Sequence, residues 1–545
     1  MTHPSLSLEG VSHVLPDGRR LFPALDAQFD STPTGLVGRN GVGKSVLARI
    51  LAGELEPSCG RCRRPGRVHY LPQQIACAPG DSVATLAGVA GTLAALARIE
   101  AGSCDPADFE HVGEDWDLAA RLAAELQRQG LGGLDASTPA ARLSGGEAIR
   151  VALAGAWLAQ ADFLILDEPS NHLDRAHRLR LIEQLGQWPR GLLVVSHDRE
   201  LLQTMGRIVE LSPTGLRDYG GGYAFYAQCR AQERQAAQEQ LQQRRLERQR
   251  GERALQEQHD RMQRRTARGN REARDANQAK ILLGRQKDHS QASAGRLRQQ
   301  QAAERELLDT RVREAADEAG REQVIAVLAP LPTDLHRRTA VTLEGMRLPF
   351  GPARAHALDL VVTTGQRIPL TGGNGAGKSS LLRVLTGQLA PAAGICRTHV
   401  ATACLDQRLD LLDPQRPVLE QMQAANPAAA QSLLRTRLAL LGLDVDRIGI
   451  ASGLLSGGER LKAALACVMH AQHPPELLLL DEPGNHLDLP SLQALEQMLA
   501  AYPGALLVAS HDEVFLDQLG LQQRLHVDGD GWHLLPWRAD VAYDG

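Results

Sequence analysis

Aromatic residues make up only 3% of this 545-residue chain, and none lies between Tyr226 and Phe350. That gap excludes stacking of bases on Phe, Tyr or Trp over the whole stretch and leaves arginine as the only planar group there. Lysine is nearly as scarce: Lys44, Lys280, Lys287, Lys378 and Lys462 are the full set. Eight cysteines in a chain of this length make no disulfide framework. Cys59 and Cys62 form one CxxC with Cys77 nearby, but no second pair stands at zinc-site spacing, so they read as incidental small residues. Met1 to Gly10 has no basic-then-apolar signal region. No window reaches the ~18 apolar residues that a membrane span needs. The blandest run, Val83 to Ala97, is too short. The expectation is a soluble, cytoplasmic protein without a membrane segment.

The net charge of −4 hides an uneven distribution. From Arg230 to Asp260 seven Arg meet six acids. From Arg261 to Arg298 eleven Lys and Arg meet three acids, a net +8. From Gln299 to Glu322 four Arg meet seven acids. The remainder of the chain outside the basic middle is therefore about −12, so any polyanion contact is local. The stretch reads as two long helices with a basic tip. Leu241, Leu246, Leu255 and Met262 are placed to pack against Leu297, Leu307, Leu308 and Val312. Helices of about 35 residues would reach about 50 Å.

What surrounds this stretch is a repeat. Gly38-Arg39-Asn40-Gly41-Val42-Gly43-Lys44-Ser45 is G-x-x-x-x-G-K-S, a loop that brings backbone N–H groups onto phosphates. Lys44 adds a point charge, Ser45 a hydroxyl for Mg²⁺, and the following helix its positive end. Leu143-Ser144-Gly145-Gly146-Glu147 opens a second helix with an anion-binding start. Phe163 to Glu168 reads as a buried parallel strand ending in two carboxylates. Asp167 is placed to hold hydrated Mg²⁺, and Glu168 to polarise an attacking water. Gln73, placed at a strand end to contact Mg²⁺ or the attacking water, and His197, placed at another to contact the γ-phosphate, are candidate catalytic residues, though each is more often structural when met alone.

The same order returns as Gly372-Gly373-Asn374-Gly375-Ala376-Gly377-Lys378-Ser379, then Gln407, Ser456-Gly457-Gly458, Asp481-Glu482 and His511. Gln73 follows Lys44 by 29 residues, as Gln407 follows Lys378; His197 follows Glu168 by 29, as His511 follows Glu482. Lys44 and Ser144 stand 100 positions apart but Lys378 and Ser456 only 78, so the first copy carries about 22 extra residues near Gly102 to Gln129.

These motifs resemble those of ATP-binding cassette ATPases over nearly the whole chain. Glu168-Pro169-Ser170-Asn171-His172-Leu173-Asp174 and Glu482-Pro483-Gly484-Asn485-His486-Leu487-Asp488 resemble the EPTNHLD motif of ABC-F proteins, as do the tandem layout and basic linker. The resemblance implies an α/β fold: cassettes over residues 1–222 and 337–545, joined by a helical basic linker over 223–336. It implies ATP with Mg²⁺, and ATP hydrolysis. Lys44 would share one nucleotide with Ser456 and Gly458, and Lys378 the other with Ser144 and Gly146, in a monomer whose cassettes pair within the chain. ABC-F members are mostly ribosome-associated, so the ribosome (rRNA and peptidyl-tRNA) is the implied partner. Arg261, Arg264, Arg265, Arg268, Arg271, Arg274, Lys280, Arg285 and Lys287 would be its contacts.

Three departures from the pattern stand out. Ser170 and Gly484 replace Thr, and His13 and Leu348 occupy the positions of the usual adenine-stacking aromatic, which implies looser base contact at Leu348. The sequence also stops at Gly545 without the long C-terminal coiled coil of some relatives, and the 22-residue excess is small for a large arm. A passive spacer would mix its charges evenly, so the +8 middle favours contact with RNA phosphate. A transporter's energising subunit and a DNA-repair ATPase are the other readings of tandem cassettes.

Overall fold

A computed structural model describes residues 5–275, 299, 301–316 and 338–537, except 65, 76, 172, 352–355, 407, 408, 410, 444 and 486. The described chain divides into two compact units, Met1–Tyr226 with Ile325–Gly545, and Ala227–Val324.

The first unit holds two copies of one α/β architecture. In each, a six-stranded sheet carries the site. Its order in the first copy is Val68–Leu71, Phe163–Asp167, Gly191–Val195, Thr34–Gly38, Arg207–Ser212, Gly215–Gly220. The first five strands are parallel and the last is antiparallel. The second copy repeats it as Thr402–Leu405, Leu477–Asp481, Ala505–Ala509, Arg367–Gly372, Gln523–Asp528, Gly531–Pro536. Central strands such as Phe163–Asp167, Gly191–Val195 and Ala505–Ala509 are buried at every position. This explains their unbroken apolar runs: a parallel sheet covered on both faces has no solvent side. The loops after the carboxyl ends of these strands carry the site motifs, where the strand order makes a crevice.

A three-stranded antiparallel sheet accompanies each copy: Arg20–Phe29, Leu6–Val14, Cys59–Arg63, and Leu358–Thr363, Thr339–Arg347, Ala393–Thr398. Cys59 and Cys62 lie in the first of these, Cys59 exposed and Cys62 against the core; all eight cysteines are free.

The extra residues of the first copy fold locally. Helices Ala90–Glu100, Pro106–Val112 and Leu118–Arg128 close a small core of Val83, Leu96, Val112, Leu118, Leu122 and Leu126 against Val151. Asp105 caps helix Pro106–Val112 by accepting from Ala107 N at 3.0 Å. Asp108 of that helix accepts from Arg98 and from Ser103 Oγ at 2.8 Å.

In the second unit, helix Tyr223–Asp275 continues for 53 residues counted from its start in the first unit. That is longer than the expected 35 and spans about 80 Å at 1.5 Å per residue. Residues 301–316 are helical and run back along it. Arg248 Nε meets Asp309 Oδ1 at 3.1 Å, and Gln301 Nε2 donates to Gln258 Oε1 at 3.4 Å. A Cβ on Gly251 would stand 2.7 Å from Leu308 Cδ1, so a residue without a side chain admits the facing leucine. The expected leucine seam is corrected in part: Leu246 and Leu307 are about half exposed, while Gly251 with Leu308 and the Arg248–Asp309 pair stand between the helices. Leu297, Lys280, Arg285 and Lys287 lie outside the described residues, as do the side chains of Met262, Arg265, Arg271 and Arg274.

Candidate functional site

Each phosphate loop joins a buried strand to a helix whose first residue is the lysine. Gly43 and Gly377 cap these helices with φ of 106° and 114°, a left-handed conformation that a side chain would strain. Lys44 Nζ donates to Gly38 O at 2.8 Å and Arg39 O at 3.2 Å. Lys378 Nζ repeats this with Gly372 O at 2.7 Å and Gly373 O at 2.9 Å. Asn40, Gly41, Val42 and Ser45 complete the first loop, and Asn374, Gly375, Ala376 and Ser379 the second.

Ser45 hydrogen-bonds the Asp167 carboxylate, and Ser379 that of Asp481. Tyr70, which the sequence did not single out, donates from its hydroxyl to Asp167 Oδ2 at 3.2 Å. Asp167 Oδ1 is buried without a hydrogen-bond partner among the described residues, as is Glu482 Oε1. A buried carboxylate oxygen left over beside a hydroxyl is a donor set that fits a hard divalent cation.

Glu168 and Glu482 follow their strands with φ of 49° and 48°, which turns the carboxylates out of the sheet. Burial raises both carboxyls well above the usual range, against the pull of Lys44 and Lys378 respectively. His197 Nε2 lies 3.5 Å from Glu168 Oε1, and His511 Nε2 3.5 Å from Glu482 Oε1. Burial, with the neighbouring lysine charge, holds both imidazoles neutral, His511 at about 4. His511 Nε2 also stands 3.1 Å from Asn374 Oδ1 and 3.2 Å from Lys378 Nζ. Gln73 is exposed in the bend after its strand, and Gln407 lies outside the described residues, as do His172 and His486.

Ser144 and Ser456 cap the helices Gly145–Leu158 and Gly457–Met469 through reciprocal bonds with Glu147 and Glu459. Each Ser Oγ accepts from the Glu backbone at 3.3 Å, and the Glu carboxylate accepts back. The glutamate of the motif is thereby committed to the cap.

The two copies meet at these sites. Asn40 N, in the first phosphate loop, donates to Asp488 Oδ2 of the second copy at 2.9 Å. Lys462, on the helix opened by Ser456, is close enough to Arg39 to feel its charge. A cavity of about 590 Å³ lies between the copies, lined by Ser144, Gly145 and Gly146 from the first and by Asn374, Glu482 and His511 from the second. The structure thus brings the first copy's serine-glycine motif to the second copy's phosphate loop. Asp174 and Asp488, read from sequence only as motif ends, prove to be interface residues.

A buried ion pair, a partly exposed one and a hydrogen bond cross the contact. Arg199 Nη1 meets Glu496 Oε1 at 2.6 Å with both side chains at most 10% exposed. Arg175 pairs with Glu513. Arg178 Nη2 reaches Glu200 at 2.6 Å and donates from Nη1 to His511 O at 3.3 Å.

The family model described as "ABC transporter" matches residues 30–171 and 355–485. The tylosin resistance ATP-binding protein TlrC of Streptomyces fradiae is 32% identical, over 94% of this chain and 95% of its own length. The ABC transporter F family member 3 of Arabidopsis thaliana is 28% identical, over 91% of this chain and 69% of its own length. The chain is an ABC-F ATPase. The energy-dependent translational throttle protein EttA of Escherichia coli is 28% identical to this ABC-F protein, over 94% of this chain and 90% of its own. In three dimensions the archaeal ribosome recycling factor aABCE1, solved with the stalk protein aP1, superposes with a TM-score of 0.60. That match covers 97% of this chain and 89% of the other at 19% identity, and shows the tandem-cassette fold. No helix of the described residues in this ABC-F ATPase is long and apolar enough to cross a membrane.

Proposed function

We propose that this ABC-F ATPase acts on the ribosome, with ATP joining its cassettes and hydrolysis releasing them. Lys44 with Ser456 and Gly458 would hold one nucleotide, and Lys378 with Ser144 and Gly146 the other. Ser45 with Asp167, and Ser379 with Asp481, would hold Mg²⁺, which supplies neutralisation of the phosphate charge. Glu168 and Glu482 polarise the attacking water. A carboxylate with a raised pKa is the stronger base, and the neutral imidazoles of His197 and His511 beside them orient without competing for the proton.

The observation that carries the reading is the root of the linker. Tyr223 begins the long helix and lies under the Arg199 guanidinium, 5.7 Å from the ring centroid. Arg199 in turn pairs with Glu496 of the other cassette, and Tyr223 hydrogen-bonds Gln493 there. Closure of the cassettes therefore acts on the first residue of the linker. Its basic middle, with Arg261, Arg264 and Arg268 exposed, is the output that meets rRNA and peptidyl-tRNA phosphates. The translational name of EttA supports this target, and the tylosin resistance in the name of TlrC supports antibiotic protection as the purpose. Drug susceptibility of a deletion strain decides that second point.

Charge reversal at Arg264, Arg265, Arg268 and Arg271 is expected to abolish ribosome co-sedimentation at moderate salt and leave basal ATPase activity intact. Each lost phosphate contact lowers the salt slope by about one. Retained co-sedimentation would rule out the tip as the contact, and a matching loss of basal turnover would count against a lever.

A further inference from the structure

The two composite sites are built from unequal halves. In the first cassette, Asp174 Oδ1 accepts from His177 Nδ1 at 2.6 Å, and His177 Nε2 stands 2.8 Å from Arg150 Nη1. A guanidinium only donates, so Nε2 is the acceptor and the ring proton sits on Nδ1, directed at Asp174. Arg150 also donates to Gln129 O at 2.9 Å and from Nε to Gly146 O at 3.4 Å. A continuous chain of hydrogen bonds thus runs from Gly146 through Arg150 and His177 to Asp174. Asp174 then projects its charge onto Lys378 and His511 of the opposite cassette. Arg150, His177 and Asp174 line the cavity between the cassettes.

The second cassette has the same backbone and a different set. Lys462 stands where Arg150 does and Ser491 where His177 does, counting from each serine-glycine motif and each Asp174 or Asp488. Asp488 is held by Ser491 N at 2.9 Å and by Asn40 N of the opposite phosphate loop at 2.9 Å; Lys462 feels its charge, but no hydrogen bond joins Lys462 to Ser491 or Asp488 among the described residues. Ser491 packs against Gly458 of the motif helix, where its Oγ would stand 3.2 Å from a Cβ on that glycine, but no hydrogen bond joins the two among the described residues. Among the described residues, a chain of hydrogen bonds thus ties the motif to the aspartate only in the half that faces Lys378.

We propose that His177 is a positioning residue that locks Asp174 to the serine-glycine motif through Arg150, so that the Lys378 site is preorganised by a relay that the Lys44 site does not use. The proposal rests on the reading that Ser144 and Lys378 share a nucleotide.

The test is single-turnover ATP hydrolysis by the full chain in two backgrounds, Glu168→Gln, in which the Lys378 site turns over, and Glu482→Gln, in which the Lys44 site does. His177→Ser is expected to slow the first roughly ten- to hundredfold in rate constant without changing nucleotide affinity, a cost typical of slight misplacement. It is expected to leave the second background and the Tm unchanged. His177→Asn can still donate to Asp174, but its short amide cannot at the same time place an acceptor where Nε2 meets Arg150, and it is expected to be as slow as the serine variant. Full activity of the asparagine variant would overturn the relay, as would no effect of serine in either background or an equal loss in both with a lowered Tm. Slowing confined to the Glu482→Gln background would instead overturn the head-to-tail sharing on which the proposal rests.

Discussion

The Glu168→Gln, Glu482→Gln double variant is expected to lose ATP turnover by about 10²–10⁴-fold, the usual range for removing a positioned general base. Nucleotide is expected to stay bound, because the phosphate loops, Lys44, Lys378 and the serine-glycine motifs are untouched. Gln is isosteric, so the backbone bond from His197 N to Glu168 Oε2, at 3.4 Å, has an acceptor in the variant as well. The substitution also removes a burial cost, since both carboxyls are held in surroundings that disfavour their charge. The variant should therefore be at least as stable as the parent and accumulate with its cassettes together. On the proposed function it should co-sediment with ribosomes in ATP and leave them as salt rises. Steady-state phosphate release and retained nucleotide measure the first part; sedimentation measures the second. Presence only in the free fraction at low salt with ATP would remove the ribosome as target, while unchanged turnover would remove both glutamates from catalysis.

Arg199→Ala is expected to weaken the joined state of the cassettes by about 3–5 kcal/mol, the cost of leaving one member of a buried ion pair alone. Glu496 is the stranded partner. Burial already raises its carboxyl above the ordinary range although Arg199 pulls it down, so without the guanidinium it would take up a proton or reopen the contact. The same pair made apolar, Arg199→Met with Glu496→Met, should recover most of the loss, because a buried pair seldom adds net stability over well-packed methionines. What the apolar pair would not restore is pairing specificity or the cation over Tyr223. ATP-dependent approach of the cassettes, followed by energy transfer between labels on each, should be lost in the single variant and regained in the double. Ribosome-coupled function should remain impaired in the double if Arg199 transmits closure to the linker root. Full recovery of both would reduce the pair to a structural contact.

The sequence by itself determined the chemistry. Two glycine-rich loops with their lysines, two apolar strands ending in Asp-Glu and two serine-glycine helix starts are local patterns, and local backbone geometry follows from residues a few positions apart. The repeat and its equal 29-residue spacings placed His197 and His511 at matching strand ends before any contact was visible. The charge run likewise showed where the linker is basic. Tertiary structure alone decided what meets what. Asn40 and Asp488 are 448 positions apart, and nothing in either one's neighbourhood encodes their 2.9 Å contact. Tyr70 reaches Asp167 only because strand Val68–Leu71 lies beside Phe163–Asp167 in the sheet. The leucine seam differs in part from the helical pattern because a helical period fixes which residues share a face, but the partner helix fixes which of them is covered. His177 and Arg150 are unremarked in sequence for the same reason: a relay is a property of three side chains converging from two helices, and convergence is decided by packing.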